Sequence, residues 1–87
     1  MQKTRPALVV SPDELNGQLN TVIIAPMTTK GRIYPTRVPC RFKGKTGMVV
    51  VDQMRTVDVT RFVRKLGRID AATETQVVDV LQRMFAP

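Results

Sequence analysis

The chain has 87 residues, too few for two separate cores, and a domain of this size buries only about 60–65% of the surface its unfolded form exposes, so a partner subunit would help it. Its 43% hydrophobic content argues against disorder, and with aromatics at 5% the core must be built from Val, Ile, Leu and Met. Fourteen Lys and Arg against seven Asp and Glu give a net charge of +7, which favours nucleic acid first, an acidic protein second and a membrane surface third; the single cysteine, Cys40, and the lack of histidine exclude an internal disulfide framework and a thiolate metal site, and remove the commonest general base.

Pro6 opens an apolar stretch, Ala7-Leu8-Val9-Val10, that predicts a buried strand. Ser11-Pro12-Asp13-Glu14 predicts a helix start, with Ser11 as N-cap, Pro12 in the first position and Glu14 closing a capping box; Asn16-Gly17 ends the turn. Thr21-Val22-Ile23-Ile24-Ala25-Pro26 predicts a second strand, apolar on both faces, and Lys30-Gly31-Arg32 a loop. From Tyr34 to Phe42 the pattern alternates loosely, with Val38 and Cys40 on one face and Arg37 and Arg41 on the other. Lys43-Gly44-Lys45 reads as a turn, Met48 to Val51 as a third apolar run, and Lys65 to Ile69 as one more strand. Asp70 is placed to cap a closing helix whose Val77, Val80, Leu81 and Met84 recur on one face.

Short strands, turn signals and one terminal helix predict a mainly β fold with a C-terminal α-helix, as a single domain over residues 1–87. No apolar run approaches the roughly 18 residues of a membrane span and no signal peptide is evident, so a cytoplasmic location is expected. Charge is unevenly placed. Between Leu15 and Val51 there is no acidic residue, while Lys30, Arg32, Arg37, Arg41, Lys43 and Lys45 all fall there. Such a segment either attracts phosphates along a strand and its loops or is a solvated basic hairpin.

Three blocks resemble, in order, the motifs of the MazF/PemK-type toxins. They are Arg5-Pro6-Ala7-Leu8-Val9-Val10-Ser11-Pro12, Ala25-Pro26-Met27-Thr28-Thr29, and Asp52-Gln53-Met54-Arg55-Thr56-Val57-Asp58. The resemblance implies a small SH3-like barrel and a homodimer. It also implies metal-independent, sequence-specific cutting of single-stranded RNA without a cofactor, and an antitoxin with an acidic C-terminal segment as inhibitor. In that chemistry a 2′-hydroxyl attacks the adjacent phosphorus and leaves a 2′,3′-cyclic phosphate and a 5′-hydroxyl. Arg5 then becomes the first catalytic candidate, because a guanidinium holds two phosphate oxygens in a fork. Thr28 follows as a hydroxyl donor to the scissile phosphate, with Thr29 beside it. Asp52 is placed as a base or as the carboxylate that holds Arg5. Lys30, Arg32 and Lys43 would track the RNA backbone, Thr46 and Met48 would shape the base pocket, and Gln53 and Arg55 would be partly structural while also contacting RNA.

The chain also departs from that pattern. Members of the family begin with a strand carrying Gly-Asp/Glu-Ile/Val-Trp/Tyr and a Gly-x-Glu loop, yet Met1 stands only four residues before Arg5; the expectation is a missing first strand and a bared sheet edge. Some members place an Arg two residues before the Asp-Gln pair, where Val50 stands here. Alternatives follow: an inactive shortened homologue that binds RNA or sequesters antitoxin, or a gyrase poison of the CcdB type. The latter relies on a terminal Trp-Gly-Ile, whereas this chain lacks Trp and ends Phe85-Ala86-Pro87. A membrane-anchoring helix is disfavoured, because the terminal helix carries Arg83 as its one positive charge.

Overall fold

A computed structural model describes residues 5–29 and 32–87. In chain order its elements are β1 (Ala7–Val9), α1 (Asp13–Asn16), β2 (Thr21–Thr28), β3 (Arg37–Phe42), β4 (Lys45–Val50), β5 (Arg55–Asp58) and α2 (Ala71–Phe85), with 3-10 turns at Val51–Gln53 and Val59–Arg61. All pairing is antiparallel, and β2 is the organising strand. One of its edges takes β1, through Ala7–Pro26, Leu8–Ala25 and Val9–Ile24. It also pairs with β5 through Thr21 to Ile24, and then with β4 through Met27 and Thr28. β3 completes the path on the far side of β4.

Pro26 is admitted to this central strand for a specific reason. The amide of Met27 donates towards β1, to the Pro6 carbonyl, so the alternation of a strand turns residue 26 towards the other edge. There the β5 pairing has ended at Ile24 and the β4 pairing begins at Met27, so no partner requires the donor that proline lacks. Pro39 sits in β3, an edge strand, where the same deficit is tolerated. The β3–β4 turn lies at Lys43-Gly44, as its composition predicts, with both residues at positive φ (51° and 78°), the geometry of a tight hairpin.

The core lies between the sheet and α2. Ala25, Val38, Cys40, Val49 and Val51 meet Val77 and Val80, with Leu8, Val10, Met27, Ile69, Leu81 and Met84 packed around them. Each fully buried valine contributes on the order of 1.5–3 kcal/mol relative to leaving it exposed. Val22, Ile24 and Val50 are buried through the alternate positions of their strands, so the curled sheet covers apolar groups on its second face as well.

Three local expectations fail. β1 is not buried: Ala7 and Val9 are exposed and Leu8 is half-buried, because β2 pairs with it on one edge alone among the described residues. Ser11 does not cap α1. Pro12 holds the N-cap position without a side-chain bond, while the Ser11 hydroxyl donates to Asn16 Oδ1 (2.5 Å) and accepts the Ile23 amide (3.0 Å), tying α1 to β2. Residues 65–69 form no strand, since Gly67 at φ 140° breaks the extended path where it packs beside Phe42. A strand the periodicity did not bring out, β5, occupies the Arg55–Asp58 part of the third motif.

The α2 cap matches its expectation: Asp70 accepts from the Thr73 hydroxyl (2.7 Å) and the Thr73 amide (3.1 Å). These bonds, the side-chain one foremost, hold the Asp70 carboxyl below its ordinary value of 3.8. A depressed folded pKa means that the cap's contribution is present above the ordinary carboxylate range and is lost as pH falls through the folded value. Asp70→Asn keeps an acceptor for Thr73 but cannot titrate. Its melting temperature is therefore expected to fall less than that of the wild type on acidification from about pH 5 to pH 2, as followed by circular dichroism.

Candidate active site

The β1–β2 register, continued past Ala7–Pro26, sets Pro6 beside Met27, and the Met27 amide does donate to the Pro6 carbonyl at 3.2 Å. One step further places exposed Arg5 across from Thr28. On its other edge Thr28 pairs with Met48, which pairs with Pro39. Directly paired residues project on the same face of a sheet, so Thr28, Met48 and Pro39 form one row across three strands, and the extension of β1 carries Arg5 to its end. Thr46, two positions from Met48, shares that face, and Arg41 is its partner on β3. Val38, Cys40 and Val49 alternate with these residues and belong to the α2 core, which assigns the row to the opposite face.

The close approach of β4 to Thr28 is made possible by Gly47. A Cβ at that position would overlap the Thr28 carbonyl oxygen, and it would stand 3.5 Å from the Thr29 Cα. Glycine is therefore required here by proximity, and the placing of Thr28 and Met48 depends on it.

Asp52 occupies the Val51–Gln53 turn and has a definite set of partners. Its Oδ1 accepts the Thr36 hydroxyl at 3.0 Å and lies 3.5 Å from Arg37 Nε. The Val51 amide donates to the Thr36 carbonyl at 3.2 Å, so this turn is bound to the chain entering β3. Arg37, rather than Arg5, is thus the cation against Asp52. The Arg37 guanidinium also lies over the Tyr34 ring, 4.8 Å from its centroid. The sequence alternation puts Arg37 on the face opposite Val38 and Cys40 and assigns it no part in the site; its pairing with Asp52 joins segments too far apart in the chain for periodicity to reveal.

The remaining candidates are more dispersed. Thr29 and Arg32 are exposed, and Lys30 lies outside the described residues. Lys43 is at the hairpin tip, 5.8 Å over the Phe42 ring and roughly 17 Å along the strand from Met48. Arg55 is exposed and pairs with Ile24, four positions or roughly 13 Å from Thr28. Gln53 is exposed in the turn. Two polar groups stand apart from this face. Burial, followed by the nearby Asp70 carboxylate, pushes the Cys40 thiol above its usual range, so it is a core residue and a poor nucleophile. The Asp58 carboxyl is held low by the Thr60 amide it accepts at 2.9 Å.

A mainly β half-barrel with a C-terminal helix on one face is the architecture of small bacterial toxins with solved structures. An endoribonuclease in complex with its cognate antitoxin, from a mycobacterial species, matches with a TM-score of 0.86 at 27% identity, covering 95% of this chain and 82% of that one. A chain of the MazE–MazF structure from Deinococcus radiodurans matches at 0.82 and 29% identity, covering 95% and 83%. In sequence, the endoribonuclease MazF3 of Mycobacterium tuberculosis is 26% identical over 88 residues, spanning 98% of this chain and 85% of the relative. The description "PemK-like, MazF-like toxin of type II toxin-antitoxin system" fits residues 1–85, and the chain belongs to that family.

Proposed function

We propose that this chain is the toxin of a type II toxin–antitoxin pair and acts, as one domain, as a sequence-specific endoribonuclease on single-stranded RNA. The observation that carries the reading is the β1–β2 register, which, continued two residues past Ala7–Pro26, sets exposed Arg5 across from half-buried Thr28, a guanidinium and a hydroxyl from separate motifs. In the reaction, the 2′-oxygen forms a bond to phosphorus, the bond to the 5′-oxygen breaks, and a proton passes from the former to the latter. Negative charge grows on the non-bridging oxygens as the phosphorus becomes five-coordinate. Arg5 meets that charge with two donors and Thr28 adds a third, oriented by its place in the ladder. Thr46 and Met48, on the same face, border the nucleotides beside the cleaved bond.

Of the roles left open for Asp52, its bonds favour holding over proton abstraction, since Thr36 and Arg37 engage Oδ1. An antitoxin whose acidic segment lies on the basic strands is the partner that the net charge of +7 favours, and the solved relatives include toxin–antitoxin complexes. The reading includes a homodimer, which would bury more apolar surface than this small chain buries alone. A cytoplasmic site of action agrees with the lack, among the described residues, of any helix long and apolar enough to cross a membrane.

The test is incubation of the purified chain with mixed-sequence single-stranded RNA in excess EDTA. Discrete fragments ending in 2′,3′-cyclic phosphate and 5′-hydroxyl are the expected result. Intact RNA, with antitoxin or RNA binding retained, would instead make the chain a non-cutting binding homologue.

A further inference from the structure

Arg37 is built into the sheet more tightly than a solvated basic strand requires. Its side chain is 17% exposed, stacked on Tyr34 and drawn towards Asp52, yet its hydrogen-bonding capacity is not met. The 3.5 Å contact to Asp52 is an ion pair, too long for a hydrogen bond, and the buried Nε has no acceptor among the described residues. The nearest carboxylate oxygen already receives the Thr36 hydroxyl. Were the role of Arg37 to neutralise Asp52, the fork geometry of a paired guanidinium and carboxylate would be expected, with both oxygens engaged. What exists is an oriented, partly desolvated cation with donors to spare.

Its position gives those donors a destination. Arg37 pairs with Val50, Pro39 with Met48, and Met48 with Thr28, so Arg37 stands on the face of Thr28, one side-chain row along and two strands across. Strand spacing makes the backbone separation roughly 12 Å, a span that a reaching guanidinium and one step of an extended nucleic-acid strand together close. Between them lie buried Val50 and half-buried Met48.

We propose that Arg37 is a second phosphate-binding residue of this face. It holds the RNA backbone one step from the phosphate at Arg5 and Thr28, while Asp52, Thr36 and Tyr34 serve as its positioning residues. This rests on the reading of the face as an RNA groove, and it assigns the ion pair at Asp52 to substrate placement rather than to proton transfer.

The experiment measures binding of a fully 2′-O-methylated single-stranded RNA, which blocks attack by the 2′-hydroxyl, between about 50 and 200 mM salt. Arg37→Met is expected to weaken affinity by about tenfold and to make the logarithmic salt dependence shallower by about 0.7, the loss of one phosphate contact on a single strand. Arg83→Met, which removes the same charge from an exposed pair on α2, is expected to leave the slope unchanged. Arg37→Lys keeps charge but not the planar fork, so its slope is retained while cleavage of ordinary RNA slows. Asp52→Asn keeps an acceptor for Thr36, retains the slope and slows cleavage. An Arg37→Met chain with unaltered affinity and slope and a lowered melting temperature would mean that the residue merely braces β3 against the Val51–Gln53 turn, and the proposal falls. It falls equally if Arg37→Lys, should the methionine variant not fold, cleaves at the wild-type rate. Binding without cutting by the wild type overturns the endoribonuclease reading alone, because the slope still reports on Arg37; no RNA binding overturns both.

Discussion

Arg5→Ala is expected to lower the single-turnover rate of RNA cleavage by about 10²–10³-fold while leaving the melting temperature unchanged. Arg5 is exposed, precedes β1 and packs into no part of the core, so its loss costs the fold little. Under the proposed reaction its value lies in the transition state, where the phosphoryl oxygens gain charge that a bound guanidinium meets without reorganising. Arg5→Lys is not a rescue under this view: an ammonium keeps the charge but cannot present two parallel donors, and most of the loss persists. Thr28→Ala, the neighbouring donor, should fall by a smaller factor. The double variant should be less impaired than the product of the two losses, because both groups act on one phosphate. Rapid-quench kinetics at saturating protein separates this from a binding defect. A rate within about threefold of wild type for Arg5→Ala would place the chemistry elsewhere on the sheet.

Gly47→Val is expected to be the most damaging single change to the scaffold. The new Cβ meets the backbone carbonyl of Thr28, and a backbone group cannot swing aside as the end of a long side chain can. β4 and β2 must separate where Met27 and Thr28 pair with Val49 and Met48, beside the two most completely buried large side chains, Val49 and Val51. Overpacking of this kind costs about 1–3 kcal/mol, which corresponds to a fall in melting temperature of roughly 4–8 °C per kcal/mol for a domain of this length. Cleavage should fall further than the folded fraction does, since the displaced residue is Thr28 itself. Gly44→Ala provides the contrast. Gly44 has φ 78° with open space around it, so alanine there costs about 1–2 kcal/mol of backbone strain but moves nothing near the row. Thermal melts paired with cleavage assays at a temperature where all three proteins are folded would distinguish the two glycines. Equal activity losses in both would mean that Gly47 is required for stability alone.

Much of the candidate site was open to inspection in the chain itself. Arg5, Thr28 and the Asp52 block were selected by resemblance, and the alternation through Val38, Cys40, Arg37 and Arg41 correctly separated a core face from a basic one. What the chain did not disclose was adjacency. Thr36 and Arg37 are fifteen or more residues from Asp52, and no local pattern records that the turn after β4 folds back against the entrance to β3. Arg37 therefore reads as one cation in a basic segment, although among the described residues it is the one held by both a carboxylate and a ring. β5 was hidden for a related reason: its Arg-Thr-Val-Asp sequence has one half-buried residue, and its strand character comes from pairing with β2 rather than from its own composition.

The sequence by itself determined the elements whose forces are local. The Asp70 cap and the 3.6-residue apolar stripe specify α2; the left-handed Lys43-Gly44 turn specifies the β3–β4 hairpin; and the β-branched run from Thr21 specifies β2. Tertiary structure alone decided that Ser11 clasps β2 instead of capping α1, and that the β1–β2 register runs on from Arg5 towards Thr28. The physical reason is that helices, caps and tight turns satisfy their hydrogen bonds within a few residues, whereas a strand's donors and acceptors are satisfied by segments distant in the chain, so the register that assembles the site exists only once β2 has chosen its partners.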